Sequence, residues 1–87
     1  MSEFDRLAET LIADFNEKYE SAVKPCIAWR GIMSYPHAYF LTPAYSLEVW
    51  DYHGTVKAVK NWKSGHVDTR TYEYTDPDME SELCMLI

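Results

Sequence analysis

Glycine and proline are scarce in this chain, whose 87 residues include three glycines and four prolines. This scarcity argues against a disordered or linker-rich chain, and a hydrophobic fraction of 47% is ample for folding. A chain of this length makes one domain with one modest core. We therefore expect residues 1–87 to form a single small globular domain.

Cysteines and long apolar runs are also few. The two cysteines, Cys26 and Cys84, follow no secretory signal and belong to no larger disulfide framework. This usage predicts free thiols in a reducing compartment. No run approaches the roughly 18 apolar residues that span a bilayer. The expectation is a cytoplasmic protein that does not enter a membrane.

Motifs that carry catalysis or bind metal are missing from the sequence. It has no glycine-rich phosphate loop, no nucleophile elbow and no metal-ligand spacing. His37, His53 and His66 all fall at predicted turns, where an imidazole is simply solvated. Cys26 lies on an apolar strand and Cys84 among acids, so neither thiol looks activated. We expect a protein that is not an enzyme and that holds no metal or cofactor.

Basic residues are outnumbered, because eight Lys and Arg face fourteen Asp and Glu, for a net charge of −6. Residues 1–22 and residues 76–87 each carry a net charge of −4. The lysines of the middle segment form no stripe, since Lys57 and Lys63 share one strand face and Lys60 takes the other. Such a charge distribution repels nucleic acid and attracts basic surfaces. It predicts a protein partner with a basic surface and no direct nucleic-acid binding.

Residues 2–22 predict an amphipathic helix, because their apolar side chains recur at steps of three and four. Ser2 is a good N-cap with Asp5 three residues later, and Lys24-Pro25 ends the helix. The polar side of this helix is acidic. We predict that it binds the partner through Glu3, Glu9, Asp14, Glu17 and Glu20.

The rest of the chain reads as an antiparallel sheet followed by a short helix. Strands are predicted over residues 26–33, 44–52, 55–63 and 66–75, with Pro43 interrupting a further extended run at 38–42. His53-Gly54 and Ser64-Gly65 are turn signals, and a capped helix start lies near Pro77. The predicted fold is α+β: an N-terminal helix packed on a meander of three or four strands, ending in a short helix or tail.

Aromatic residues are abundant and make up 15% of the chain. Period-two alternation places Tyr45, Leu47 and Val49 on one side of a strand and Trp50 and Tyr52 on the other. If the first set meets the helix, the second set belongs to an exposed aromatic patch. Alternatively, the two faces are reversed, or the C-terminal segment covers the second face. The patch is predicted to consist of Tyr35, Tyr39, Trp50, Tyr52, Tyr72 and Tyr74.

These features favour a non-enzymatic protein–protein interaction module. In size and charge the chain resembles the small acidic proteins that viruses and mobile elements use to disable host nucleic-acid enzymes, the anti-restriction and anti-CRISPR inhibitors. That resemblance implies an inhibitor that presents carboxylates where the host enzyme expects phosphates. Two alternatives remain open: a homo-oligomeric structural subunit, such as a homodimer, and a small-ligand domain that stacks its ligand on aromatic rings.

Overall fold

The computed structural model describes residues 2–22, 26–32 and 34–87. Two helices and five strands follow one another along the chain. Their bounds are Glu3–Tyr19 (α1), Ile27–Ile32 (β1), Pro36–Leu41 (β2), Tyr45–Tyr52 (β3), Thr55–Trp62 (β4), Val67–Glu73 (β5) and Met79–Leu86 (α2). Each strand pairs antiparallel with the next, so the sheet is a meander in the order β1-β2-β3-β4-β5.

The α+β class and the meander are confirmed, but the sheet has five strands instead of three or four. The difference arises at the two prolines. Pro36 is the first residue of β2, and Pro43 lies in the turn between β2 and β3 instead of interrupting a strand. In that turn the Thr42 hydroxyl accepts hydrogen bonds from the backbone N–H groups of Ala44 and Tyr45, both at 3.1 Å.

Helix α1 begins with the predicted cap. The backbone N–H of Asp5 donates to the Ser2 hydroxyl at 3.1 Å, and the backbone N–H of Ser2 donates to the Asp5 carboxylate at 3.0 Å. These two bonds satisfy donors that a helix start otherwise leaves unpaired. The helix ends at Tyr19, three residues before the predicted end. The predicted stop at residues 24 and 25 lies outside the described residues.

The two helices cover the same side of the sheet, which we call the inner face; the opposite side is the outer face. Tyr45, Leu47 and Val49 lie on the inner face and are buried, as predicted from their alternation. Leu83 of α2 joins the same core as Leu11 of α1. The C-terminal segment therefore does not cover the outer face, and this alternative reading is wrong. Among the described residues, neither helix has the length and apolar character required to cross a bilayer.

Helix α2 is tied to the sheet by a buried lysine. Lys60 is only 5% exposed, and its ammonium donates to the Leu86 carbonyl while lying 4.0 Å from the ring centre of Tyr45. The ring of Trp62 lies at 4.1 Å on the same ammonium. From α1, Lys18 donates to the Ile87 carbonyl at 2.7 Å. Positive groups thus meet the negative end of the α2 dipole.

Tyr72 and Tyr74 do not belong to an outer aromatic patch, so this part of the prediction is wrong. Tyr72 pairs across the ladder with inward-facing Val56 and is 7% exposed. Tyr74 donates its hydroxyl to the Asp51 carboxylate at 2.9 Å. The alternation predicted for β5 is correct, but its register with β4 turns Tyr72 toward the helices, and Tyr74, just after the strand, packs against the same core.

Candidate binding site

Side chains on the outer face run in rows across neighbouring strands, and three of these rows lie side by side beyond the row that contains Ile27, Leu41 and Val67. In an antiparallel pair, directly opposed residues stand side by side on the same face. One row contains Trp29, Tyr39 and Glu48, since Trp29 pairs with Tyr39 and Tyr39 pairs with Glu48. The next row contains Gly31, His37, Trp50 and Lys57, and the last contains Tyr52 and Thr55.

Apolar exposure is concentrated on this outer face. Among the described residues, seven large hydrophobic side chains are exposed, and five of them lie here. Trp29 is 44% exposed and Tyr52 is 40% exposed. Contiguous apolar surface on one face, in contrast to single scattered residues, marks a binding surface. The five are Ile27, Trp29, Leu41, Tyr52 and Val67.

The centre of the outer face is a concavity of about 630 Å³. This volume falls within the roughly 300–1,000 Å³ of small-molecule pockets. The predicted residues Tyr35, Tyr39, Trp50 and Tyr52 all line it, so the structure brings together these four of the six predicted patch residues. The full lining is Trp29, Ser34, Tyr35, His37, Tyr39, Glu48, Trp50, Tyr52 and Lys57.

The rings of the concavity contact one another in two groups. Trp29 packs edge-on against His37, with ring centres 5.2 Å apart, and tilts against Tyr39 at 5.3 Å. On the other side, the ring centres of Tyr35 and Tyr52 are 4.8 Å apart. Partial desolvation and the neighbouring Tyr52 raise the pKa of Tyr35, so its hydroxyl is neutral at physiological pH. Mutual packing limits the positions that these rings can take.

Gly31 creates the room for the Trp29 wall. A Cβ atom at this position would lie 2.9 Å from Cζ3 of Trp29 and 3.1 Å from Cε1 of His37. The indole therefore lies over the backbone of β1 where any other residue would push it outward. A glycine in a strand often marks such a close approach.

One acid and one base complete the lining. Glu48 is half-buried, and no described residue makes a hydrogen bond or ion pair with its carboxylate. Lys57 places its ammonium 5.3 Å from the centre of the Tyr52 ring. The negative charge thus stands in the Trp29–Tyr39 row, and the positive charge stands near Tyr52.

Five lining residues were missed at the sequence level: Trp29, Ser34, His37, Glu48 and Lys57. His37 was expected in a turn, but it lies on β2 and is 9% exposed. The signal that could have found Trp29 is its spacing of two from Gly31, which places both on one side of β1. Glu48 and Lys57 become neighbours of the rings only through cross-strand register, which the sequence does not display.

The predicted acids of α1 are all exposed, but they do not form one surface. Glu9, Glu17 and Glu20 fall on the side away from the sheet, given about 100° of rotation per residue. Glu3 and Glu9 both border a second hollow beside Met79 of α2. The three outward acids form the acidic back of α1, opposite the concavity.

Asp14, the remaining α1 acid, lies against Cys84 of α2. Burial first, and then the charge and hydrogen bond of Asp14, raise the pKa of this thiol. Near neutral pH the thiol is therefore protonated, in agreement with the expectation that Cys84 is not activated.

Another acidic group lies near the start of α2. Carboxylate oxygens of Asp76, Asp78 and Glu82 come within 4.8 Å of one another. Arg70 lies 4.0 Å from Glu82 and offsets part of this charge. An acidic cluster at a helix start is explained by the positive end of the helix dipole.

No family model, curated protein or solved structure matches this chain. The site is therefore described by its own geometry and chemistry.

Proposed function

We propose that this protein is a non-enzymatic protein–protein interaction module that binds its partner through the outer face of the sheet. The observation that carries this proposal is the clustering of exposed aromatic and aliphatic side chains on a face that neither helix covers. Tyr and Trp dominate the binding energy of protein interfaces. A sheet with one covered face leaves the other for water or for a partner.

The partner in this proposal carries a basic surface. The net charge of −6 speeds its encounter with such a surface and disfavours nucleic acid. Glu9, Glu17 and Glu20 on the acidic back of α1 provide a second contact area. In its most specific form, the proposal describes a cytoplasmic inhibitor of a host nucleic-acid-binding enzyme, of the viral anti-restriction or anti-CRISPR kind, whose carboxylates substitute for phosphates.

The experiment compares two variants, each of which carries two alanine substitutions. Trp29→Ala with Tyr52→Ala removes two exposed rings from the outer face, and Ile32→Ala with Met85→Ala removes two exposed apolar side chains elsewhere. Each immobilised protein is used to capture partners from host lysate, and the affinity of the purified partner is then measured by calorimetry. We expect the first variant to lose about tenfold to a hundredfold in affinity and the second to lose little. Equal affinities for both variants would refute the proposal.

A homodimer is the second candidate, and one observation favours it. The strands present three charged side chains on the outer face: Lys57, Glu48 and Glu73. The net charge of this face is therefore far closer to zero than the net charge of the whole chain. Two copies meeting through this face would avoid most of their mutual repulsion. Light scattering over a range of concentrations separates the candidates, since a monomer at high concentration contradicts the homodimer.

A further inference from the structure

This inference rests on the proposed function and concerns what the concavity holds. We propose that the concavity binds a cationic side chain of the partner: an arginine, a lysine or a methylated lysine. The rings of Trp29, Tyr39 and Trp50 lie against the cation, and the Glu48 carboxylate is its counter-ion.

The rings are suited to a cation. An ammonium or guanidinium group is attracted to the face of Trp, Tyr or Phe within about 6 Å of the ring centre. Trp29 and Tyr39 stand in the same row as Glu48, and Trp50 is two residues further along β3. Each of these three rings is at least partly exposed toward the concavity. A cation placed over this row therefore meets several aromatic rings and a carboxylate together.

Glu48 supplies the reason to choose a cation over an uncharged ligand. The carboxylate oxygens of Glu48 are not buried, so water hydrates them and a cation from a partner can reach them. No described residue makes a hydrogen bond or an ion pair with Glu48, although Lys57 lies on the adjacent strand. A basic group from a partner would pair with this carboxylate, and cation–π attraction from the aromatic walls would offset part of its lost hydration.

Lys57 shows that a cation already rests against this aromatic surface. Its ammonium lies 5.3 Å from the ring centre of Tyr52, at the end of the concavity away from Trp29. This positive charge repels a second cation near Tyr52 and directs it toward Glu48. The concavity thus has a negative charge at Glu48 and a positive charge at Lys57. The two charges should change the affinity for a cation in opposite directions.

The test uses short glycine–serine peptides whose central residue is lysine, trimethyllysine, arginine or norleucine. Norleucine matches the lysine stem and lacks the charge. Binding is followed by NMR through the indole N–H resonances of Trp29 and Trp50, with Trp62 on the inner face as the internal reference. We expect the cationic peptides to bind about tenfold more tightly than the norleucine peptide.

Charge variants then separate a cation site from an apolar or an anion site. Glu48→Gln should weaken the cationic peptides about tenfold and leave norleucine unchanged, whereas Lys57→Gln should strengthen the cationic peptides. Glu73→Gln is the matched control, because Glu73 is exposed on the same face but does not line the concavity. All three side chains are at least partly exposed, so the variants should fold like the parent.

Three results would overturn the inference. The norleucine peptide could bind as tightly as the cationic peptides, Glu48→Gln could leave the affinity for the cationic peptides unchanged, or Lys57→Gln could weaken their binding. The full partner distinguishes the two proposals. If its affinity depends on Trp29 and Tyr52 but not on Glu48 and Lys57, the cation site is wrong and the interaction surface stands. If the affinity of the partner is the same for the parent and for the Trp29→Ala, Tyr52→Ala double variant, the proposed function is wrong.

Discussion

The indole of Trp29 lies over the backbone of Gly31, so close that a methyl group on that glycine would lie 2.9 Å from the ring. This contact fixes one wall of the concavity, because the same indole also packs against His37 and Tyr39.

Replacing Gly31 by alanine should therefore move the Trp29 wall without unfolding the protein. Half of the indole faces solvent, so the ring has room to shift outward. We expect a stability change of about 1 kcal/mol or less, together with altered near-UV circular dichroism. Gly54→Ala is the matched control, since its Cβ would meet no atom within 4 Å but its φ is +82°. That variant should lose about 1 kcal/mol and keep the Trp29 spectrum. The reverse pattern would contradict the role of Gly31.

The division of the tyrosines between the two faces predicts very different costs of truncation. Tyr72→Ala removes a buried ring from the core and should destabilise the fold by about 3–5 kcal/mol. Tyr52→Ala removes an exposed ring and should cost about 1 kcal/mol or less. Urea denaturation measures both free energies of unfolding. Similar values for the two variants would mean that the face assignment of β5 is wrong.

Lys60 should impose a pH dependence on stability. Burial, and then the charge of Lys18, lower the pKa of Lys60 below its ordinary value of 10.5. Below its folded pKa, Lys60 is charged in both states, and burying that charge lowers the free energy of unfolding by its full amount. Between the folded and unfolded pKa values the unfolded chain binds more protons, so the free energy of unfolding rises with pH. The penalty disappears as the pH rises toward 10.5. The stability of the parent relative to Lys60→Met should therefore increase over that range, as thermal melts at several pH values will show. A difference that does not change with pH would contradict it.

Asp5 should act in the acidic range with the opposite sign. Hydrogen bonds from the Ser2 backbone and side chain, and then from Arg30, lower the pKa of Asp5 below 3.8. The stabilisation it provides is therefore complete well above pH 3.8 and is lost as the pH falls through the folded pKa. Asp5→Asn should lower the thermal midpoint at neutral pH and match the parent in strong acid. A difference between Asp5→Asn and the parent that stays the same at every pH would contradict this role of Asp5.

The acidic back of α1 is tested by reversing its charge. Changing Glu9, Glu17 and Glu20 to lysine takes the net charge from −6 to zero and leaves the core untouched. We expect slower association with the basic partner and a weaker dependence of that rate on salt. Stopped-flow measurements at low and high ionic strength check both. Unchanged association kinetics would remove the acidic back from the proposed interface and leave the outer face as the contact.

Local patterns were enough to predict the elements of this fold. The cap formed by Ser2 and Asp5, the apolar stripe of α1 and the turn at His53-Gly54 all depend on neighbours within four residues. The structure confirms the turn, where both residues have positive φ and the Gly54 N–H donates to Asp51 at 2.9 Å. The interaction roles of Tyr35, Tyr39, Trp50 and Tyr52 and of the α1 acids stay predictions.

The sequence by itself determined that Tyr45 and Trp50 lie on opposite sides of β3, because side chains alternate along any strand. It did not determine which rings of different strands share a side. That choice depends on cross-strand register: the pairing of Val56 with Tyr72 turned one ring inward, and the pairing of Tyr39 with Glu48 placed a carboxylate among the aromatics. Register is set by the whole sheet closing against both helices, so only the tertiary structure decided what the outer face contains.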